Sequence, residues 1–120
     1  MFTPSGKMTL LLIGADAALA YLLCRYAEQS GCQLLIQDMA PALEELDHWR
    51  PSAIIFASPD GLQSNQPLVE ALSTRETPVL VCASASDEAR AKKLGADDCL
   101  LHPLTYGQFC AVLTHCSQTV

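Results

Sequence analysis

Four short segments of this 120-residue chain are continuously apolar, and they constrain its fold more than any other feature. Neighbouring side chains of a β-strand point to opposite faces of the sheet, so an unbroken apolar run indicates burial on both faces. Strands of this kind are typical of parallel sheets that carry helices on both sides. The four runs are residues 8–13, 53–57, 78–82 and 99–101.

Helical patterns separate these runs along the chain. After Asp16, a predicted N-cap, apolar residues recur at helical spacing until Gly31, which predicts a helix end. Ser86 and Asp87 are predicted to cap a later helix over residues 88–94. The other predicted helices cover residues 41–49, 67–74 and the segment from about residue 105. Between the first two helices, residues 32–36 predict a weaker strand with an edge position.

The order of these elements predicts the fold class. Five strands that alternate with five helices indicate a doubly wound α/β domain with a parallel sheet. With right-handed crossovers, the simplest topology is flavodoxin-like, with strand order 2-1-3-4-5, and sites then form at the carboxyl ends of the strands. We expect one domain over residues 8–117, a flexible lead-in at residues 1–7 and a tail at residues 118–120.

Composition excludes several classes of function. The chain carries 13 acidic and 7 basic residues, a formal net charge of −6, which argues against binding of nucleic acid phosphates. No apolar run reaches the roughly 18 residues of a membrane span, and the amino end does not resemble a signal peptide. The sequence therefore predicts a cytoplasmic protein that binds neither nucleic acid nor membrane.

The six cysteines contain no CxxC pair, and most lie in periodic apolar segments, so we expect reduced thiols that behave as small hydrophobic residues. His115 and Cys116 beside Cys110 could suggest zinc. However, three groups on one terminal helix do not complete a tetrahedral site. The sequence predicts no metal site and no cofactor.

Three segments carry a family resemblance. Residues 94–104, LGADDCLLHPL, resemble the LGADDYLxKPF segment of response regulator receiver domains, the phosphorylated modules of two-component signalling. Residues 10–23, LLLIGADAALAYLL, are similar to that family's first strand and helix, and residues 51–58, PSAIIFAS, to its third strand. The resemblance covers about residues 8–116. It also implies a cis peptide bond before Pro103.

The resemblance does not extend to the residues that transfer phosphate. The family uses an acidic pair after the first strand, an aspartate after the third, a Thr or Ser after the fourth and a lysine after the fifth. The corresponding residues here, with the proline that follows, form a degenerate phosphorylation pocket: Gly14, Ala15, Ala57, Ala83, His102 and Pro103. Aspartyl phosphorylation needs an acceptor carboxylate and carboxylates that hold Mg²⁺, so the sequence predicts neither phosphorylation nor Mg²⁺ binding.

Some oxygen-bearing residues lie close to these positions. Asp16, Ser58 and Ser84 each follow a family position by one residue, although a hydroxyl cannot replace the acceptor carboxylate. His102 could act as a base with Asp16, Asp60 or Ser84. An ordinary half-exposed histidine is the simpler interpretation.

The resemblance implies an interaction surface for dimers or partners, formed by the fourth predicted helix, the fifth strand and the fifth helix. Its candidate residues are Arg90, Lys93, Asp97, Asp98 and Tyr106. The sequence thus predicts a non-phosphorylatable signalling module that binds other proteins. The alternative is a sensor that binds a small molecule in the altered pocket. We expect no enzyme, because no nucleophile, base and orienting group occur together and no cofactor fingerprint is present.

Overall fold

A computed structural model describes residues 8–118, with side chains through residue 115. Its five strands form one parallel sheet with the order β2-β1-β3-β4-β5, which confirms the predicted topology. The strands are β1 (Thr9–Ile13), β2 (Gln33–Gln37), β3 (Ala53–Phe56), β4 (Val79–Ala83) and β5 (Asp98–Leu101). The helices are α1 (Ala17–Ser30), α2 (Leu43–Trp49), α3 (Pro59–Ser64), α4 (Gln66–Thr74), α5 (Glu88–Lys93) and α6 (Tyr106–Gln118).

The sheet separates two apolar cores. Leu10 and Leu12 of β1 face α1 and α6, whereas Leu11 and Ile13 face the side that carries α2 to α5. All residues of β3 and β4 are buried, which explains why these strands read as unbroken apolar runs. Phe56 is fully buried, and burial of such a side chain contributes about 2 kcal/mol to stability.

Local signals in the sequence fix several of these elements. The Asp16 carboxylate accepts a hydrogen bond from the backbone N–H of Leu19 at 2.8 Å, which confirms the predicted N-cap of α1. Gly31 ends α1 in the left-handed conformation, with φ +80°. Strand β2 lies at the sheet edge as predicted. The peptide bond between His102 and Pro103 is cis, which confirms that expectation.

The prediction of five helices was wrong, because the described residues form six. Residues 58–61 read as a turn, but Ser58 is the N-cap of α3 and accepts a hydrogen bond from the Gly61 N–H at 3.4 Å. Pro59 occupies the first turn of the helix, where its missing N–H costs nothing. Serine followed by proline fits a helix start as well as it fits a turn.

Asp87 occupies the predicted N-cap position of the helix before β5, but it does not cap the helix through its side chain. A 3₁₀ turn, Ala85–Asp87, precedes α5, and the Asp87 side chain makes no capping hydrogen bond. Its carboxylate accepts a hydrogen bond from the Ser84 hydroxyl instead, at 3.3 Å.

Two further properties follow from the described residues. None of the helices within residues 8–118 is both long enough and apolar enough to cross a bilayer. The five cysteines whose side chains are described are free thiols, in accord with the expectation of reduced cysteines: Cys24, Cys32, Cys82, Cys99 and Cys110. Cys116, part of the discounted zinc set, lies outside the described side chains.

Candidate functional site

The fold brings the positions of the altered pocket to the carboxyl edge of the sheet. The backbone N–H of Ala57 donates to the carbonyl of Ile13 at 3.1 Å, which holds the ends of β3 and β1 side by side. On the other flank, the N–H of His102 donates to the carbonyl of Ala83 at 3.0 Å. These bonds place the residues that follow four neighbouring strands along one edge, as the parallel topology requires.

The side chains at this edge are small and carry no oxygen. Ala83 is buried, with 3% of its surface exposed, and Ala57 is half-buried. Ala15 is half-buried and packs against the core between the sheet and α1. Gly14 has φ +78°, a conformation that glycine adopts without strain. A hard cation would find no side-chain ligand at these four positions.

The three oxygen-bearing neighbours are engaged in local structure. Asp16 caps α1, and Ser58 caps α3. The Ser84 hydroxyl lies 3.0 Å from the Ser86 hydroxyl and donates to Asp87 at 3.3 Å. A shift of one residue therefore does not restore the family's arrangement, because each oxygen already serves the start of a helix or turn.

His102 does not form a catalytic pair with the residues that the sequence suggested. Its side chain is exposed and makes no described hydrogen bond, and Asp60 instead pairs with Arg90 at 2.9 Å. The geometry supports the simpler interpretation of an ordinary exposed histidine.

A half-open cavity of about 330 Å³ lies at the ends of β1 and β3. Gly14 and Ala57 line it, so two of the predicted pocket residues meet there. Its other walls come from the loop after β2 and from the β3–α3 connection. These walls are formed by Ile13, Asp38, Met39, Ala40, Phe56, Ser58, Gly61, Ser64 and Asn65.

The loop after β2 was not predicted to line the site. Asp38 lines the cavity, and Met39 beside it is 79% exposed. The signal was weak, because these residues follow an edge strand of mixed polarity and belong to no motif. The topology brings them to the site, since the end of β2 lies beside the end of β1. The Gly14 N–H donates to the Gln37 carbonyl at 2.9 Å.

Several solved structures with the same architecture are receiver domains or response regulators. The receiver domain of NtrX from Brucella abortus superposes with a TM-score of 0.74 at 17% identity, covering 92% of this chain and 99% of that one. The receiver domain of the TMAO respiratory regulator TorR gives 0.74 at 18% identity, covering 94% and 98%. The chemotaxis response regulator CheY4 of Vibrio cholerae gives 0.73 at 16% identity, covering 92% and 98%. The chain has the receiver fold.

The structural similarity to these proteins extends over a single domain. Against the longer NtrX structure, 94% of this chain aligns but only 27% of that chain is covered. No family model and no curated protein sequence matches the chain. At these levels of identity the likeness defines the fold of residues 8–118, and the function has to be argued from the site.

Arg90 and Tyr106, two residues of the predicted interaction surface, lie on different helices. Arg90 on α5 bonds to Asp60 and Gln63 of α3, at 2.9 and 2.7 Å. Tyr106, at the start of α6, packs against the core on the other face of the sheet. Its ring contacts that of Tyr26 on α1, with centroids 5.6 Å apart. Helices α5 and α6 pack against opposite faces of the sheet, and both contact the edge strand β5.

The remaining candidates have different surroundings. Lys93 is exposed on α5. Asp98 lies at the amino end of β5, where a carboxylate oxygen is 3.4 Å from His115 Nδ1. Asp97 precedes that strand and bonds to the start of β4. Among the described side chains, no group of three or more His, Cys, Asp and Glu residues is placed to hold a metal ion.

Proposed function

We propose that this protein is a non-phosphorylatable receiver-like module of a two-component-type regulatory system and that it acts in the cytoplasm, without catalysis, by binding other proteins. The receiver fold supports the signalling class. The strongest support for the missing phosphorylation is Ala57 at the end of β3, where the family's acceptor aspartate would stand. Its methyl group offers no oxygen, and Gly14 and Ala15 offer none for Mg²⁺.

The neighbouring oxygens strengthen this proposal. Asp16 and Ser58 cap helices, and Ser84 bonds within the 3₁₀ turn. If these side chains replaced the missing phosphotransfer groups, the hydrogen bonds at the starts of α1, α3 and the 3₁₀ turn would be lost. Asp38, the remaining carboxylate at the edge, reaches the cavity from the loop after β2 and has no partner carboxylate described there.

Incubation with Mg²⁺ and acetyl phosphate tests the absence of phosphorylation. We expect an unchanged intact mass, while a receiver domain with a complete acidic pair in the same tube gains one phosphoryl group. A stoichiometric mass gain on this protein that is lost at alkaline pH would contradict the proposal.

Protein binding is proposed to use the surface around α5, β5 and α6. Tyr106 is unsuitable for a test of binding, because it packs against Tyr26 and its substitution would disturb the core between α1 and α6. Arg90→Glu and Lys93→Glu change exposed charges on α5 without touching that core. We expect the double variant to lose partners that the wild type recovers from native extract, while Arg50→Glu, an exposed change at the end of α2, retains them. Equal recovery by both variants would place binding elsewhere.

A small-molecule sensor is the second candidate, favoured by the cavity beside Ala57 and Gly14. Asp38 is the charged residue among its described walls, and a carboxylate beside an apolar floor suits a small amine. We expect a primary amine from a screened panel to raise the melting temperature of the wild type. Ala57→Trp fills the cavity and should abolish the shift, whereas Ala111→Trp on the exposed side of α6 should preserve it. A panel without any shift, or a shift that survives Ala57→Trp, would reject this candidate.

A further inference from the structure

The two edges of the sheet are protected differently. At the β5 edge, the side-chain amide of Gln108 bonds both backbone groups of Leu101: the Leu101 N–H donates to Oε1, and Nε2 donates to the Leu101 carbonyl at 3.0 Å. Asp98 adds a negative charge to the same strand. A side chain that occupies backbone groups and a charge on the strand both oppose pairing with another strand.

The β2 edge has no such protection among the described residues. The Gln33 N–H donates to Met8 at 2.8 Å, and the Gln37 carbonyl accepts from Gly14, so alternate residues of β2 direct their backbone groups toward β1. The backbone groups of Leu34 and Ile36 therefore face outward. No described side chain bonds to them, the strand QLLIQ has neither proline nor charge, and Ile36 is 41% exposed.

We propose that β2 pairs with β2 of a second copy of this chain, antiparallel and centred on Leu35. The strand is nearly palindromic in chemistry about this residue. The pairing sets Leu34 opposite Ile36 of the second copy and Gln33 opposite its Gln37. The outward backbone groups of Leu34 and Ile36 then form about four hydrogen bonds across the twofold axis. A shift of one residue would set glutamine against leucine.

The identity of the partner follows from this self-complementarity. A second copy presents the same neutral strand, so no like charges lie opposite each other within the paired strands, although the chain carries a net charge of −6.

The dimer proposal rests on β2 and does not depend on the absence of phosphotransfer. Its failure would leave the proposed signalling function unaffected. Conversely, phosphorylation of the protein would not affect the pairing of β2.

Sedimentation equilibrium of the full chain over a range of concentrations tests the pairing. Ile36→Lys places like charges across the twofold axis. Ile36→Pro removes an outward N–H that the monomer does not use, a substitution that edge strands tolerate. Met39→Lys is the matched control, since it changes the same charge at an exposed apolar residue outside the strand. We expect each Ile36 variant to raise the dimer Kd about tenfold or more, and Met39→Lys to leave it near the wild-type value.

Circular dichroism of each variant checks that the monomer fold persists. Hydrogen exchange then locates the contact, because the Leu34 and Ile36 amides should be protected in the wild-type dimer and exchange rapidly in Ile36→Lys. Three results would overturn the proposal: a wild type that stays monomeric at every concentration, a dimer that survives both Ile36 variants, or equal weakening by Met39→Lys. The last result would show that net charge governs the association.

Discussion

Asp97 and Val79 are joined by two hydrogen bonds, so that the beginnings of β4 and β5 are held together. The Asp97 N–H donates to the Val79 carbonyl at 2.7 Å, and the Asp97 carboxylate accepts from the Val79 N–H at 2.8 Å. A carboxylate that serves the first residue of a central strand has a structural role. This contact explains Asp97 without any partner protein.

Asp97→Ala should therefore destabilise the fold. Removal of the carboxylate leaves the Val79 N–H without its partner, and the expected loss is about 1 to 2 kcal/mol in the free energy of unfolding. Urea denaturation measures it. Asp38→Ala removes an exposed carboxylate that makes no described hydrogen bond and should change stability by less than about 0.5 kcal/mol. Equal losses in the two variants would show that the Asp97–Val79 contact contributes nothing specific.

Gly95→Ala and Gly107→Ala should have opposite effects. Gly95 has φ +110°, and a Cβ there would lie 2.5 Å from Cγ1 of Val69, so we expect a loss of about 2 kcal/mol or more. Gly107 lies in α6, where an added Cβ would meet no atom within 4 Å, so alanine should stabilise the helix by up to about 1 kcal/mol. Thermal denaturation of both variants measures the difference. A tolerated Gly95→Ala would contradict the close packing of α4 against the turn before β5.

The ion pair between Asp47 and Arg75 should make a small, acid-sensitive contribution to stability. The hydrogen bond from Arg75 is the main cause that lowers the pKa of Asp47. A carboxyl with a lowered pKa stabilises the fold above its unfolded value of about 3.9, and this stability is lost as the pH falls through the lower folded value.

Melting temperatures across pH test this contribution. Wild type should melt slightly above Asp47→Asn near neutral pH, and the difference should vanish at about pH 2. Both side chains are exposed, so salt should also reduce the difference. A difference that persists in acid and in high salt would have another origin.

Cys82 should react with alkylating reagents only after unfolding. Burial, together with a smaller effect of neighbouring Cys99, raises the pKa of its thiol to about 12. Cys110 is half-buried on α6 and should react in the native state. Iodoacetamide labelling followed by peptide mass spectrometry distinguishes the two. Labelling of Cys82 at the same rate as Cys110 would show that the core opens without global unfolding.

The local patterns of the sequence determined much of the fold. Unbroken apolar runs fixed the buried strands, and the Asp16 cap and Gly31 fixed the bounds of α1, because both signals act over a few residues. The sequence also predicted that Gly14, Ala57 and Ala83 lie at strand ends, because the segments around them resemble those of receiver domains. Helix α3 was missed because serine and proline start both turns and helices.

Tertiary structure decided what the side chains contact. Asp97 meets Val79 across 18 positions, and Arg90 meets Asp60 across 30, distances that no periodicity describes. The loop after β2 lines the cavity because parallel pairing sets the ends of β1 and β2 side by side. The open edge of β2 and the edge of β5 that Gln108 covers likewise depend on packing between distant segments. The sequence by itself determined the strands, their order in the sheet and the bounds of α1. Only the tertiary structure decided which side-chain oxygens accept or donate hydrogen bonds and which edge strand of the sheet has unpaired backbone groups. Both properties depend on how elements that are distant in sequence pack together.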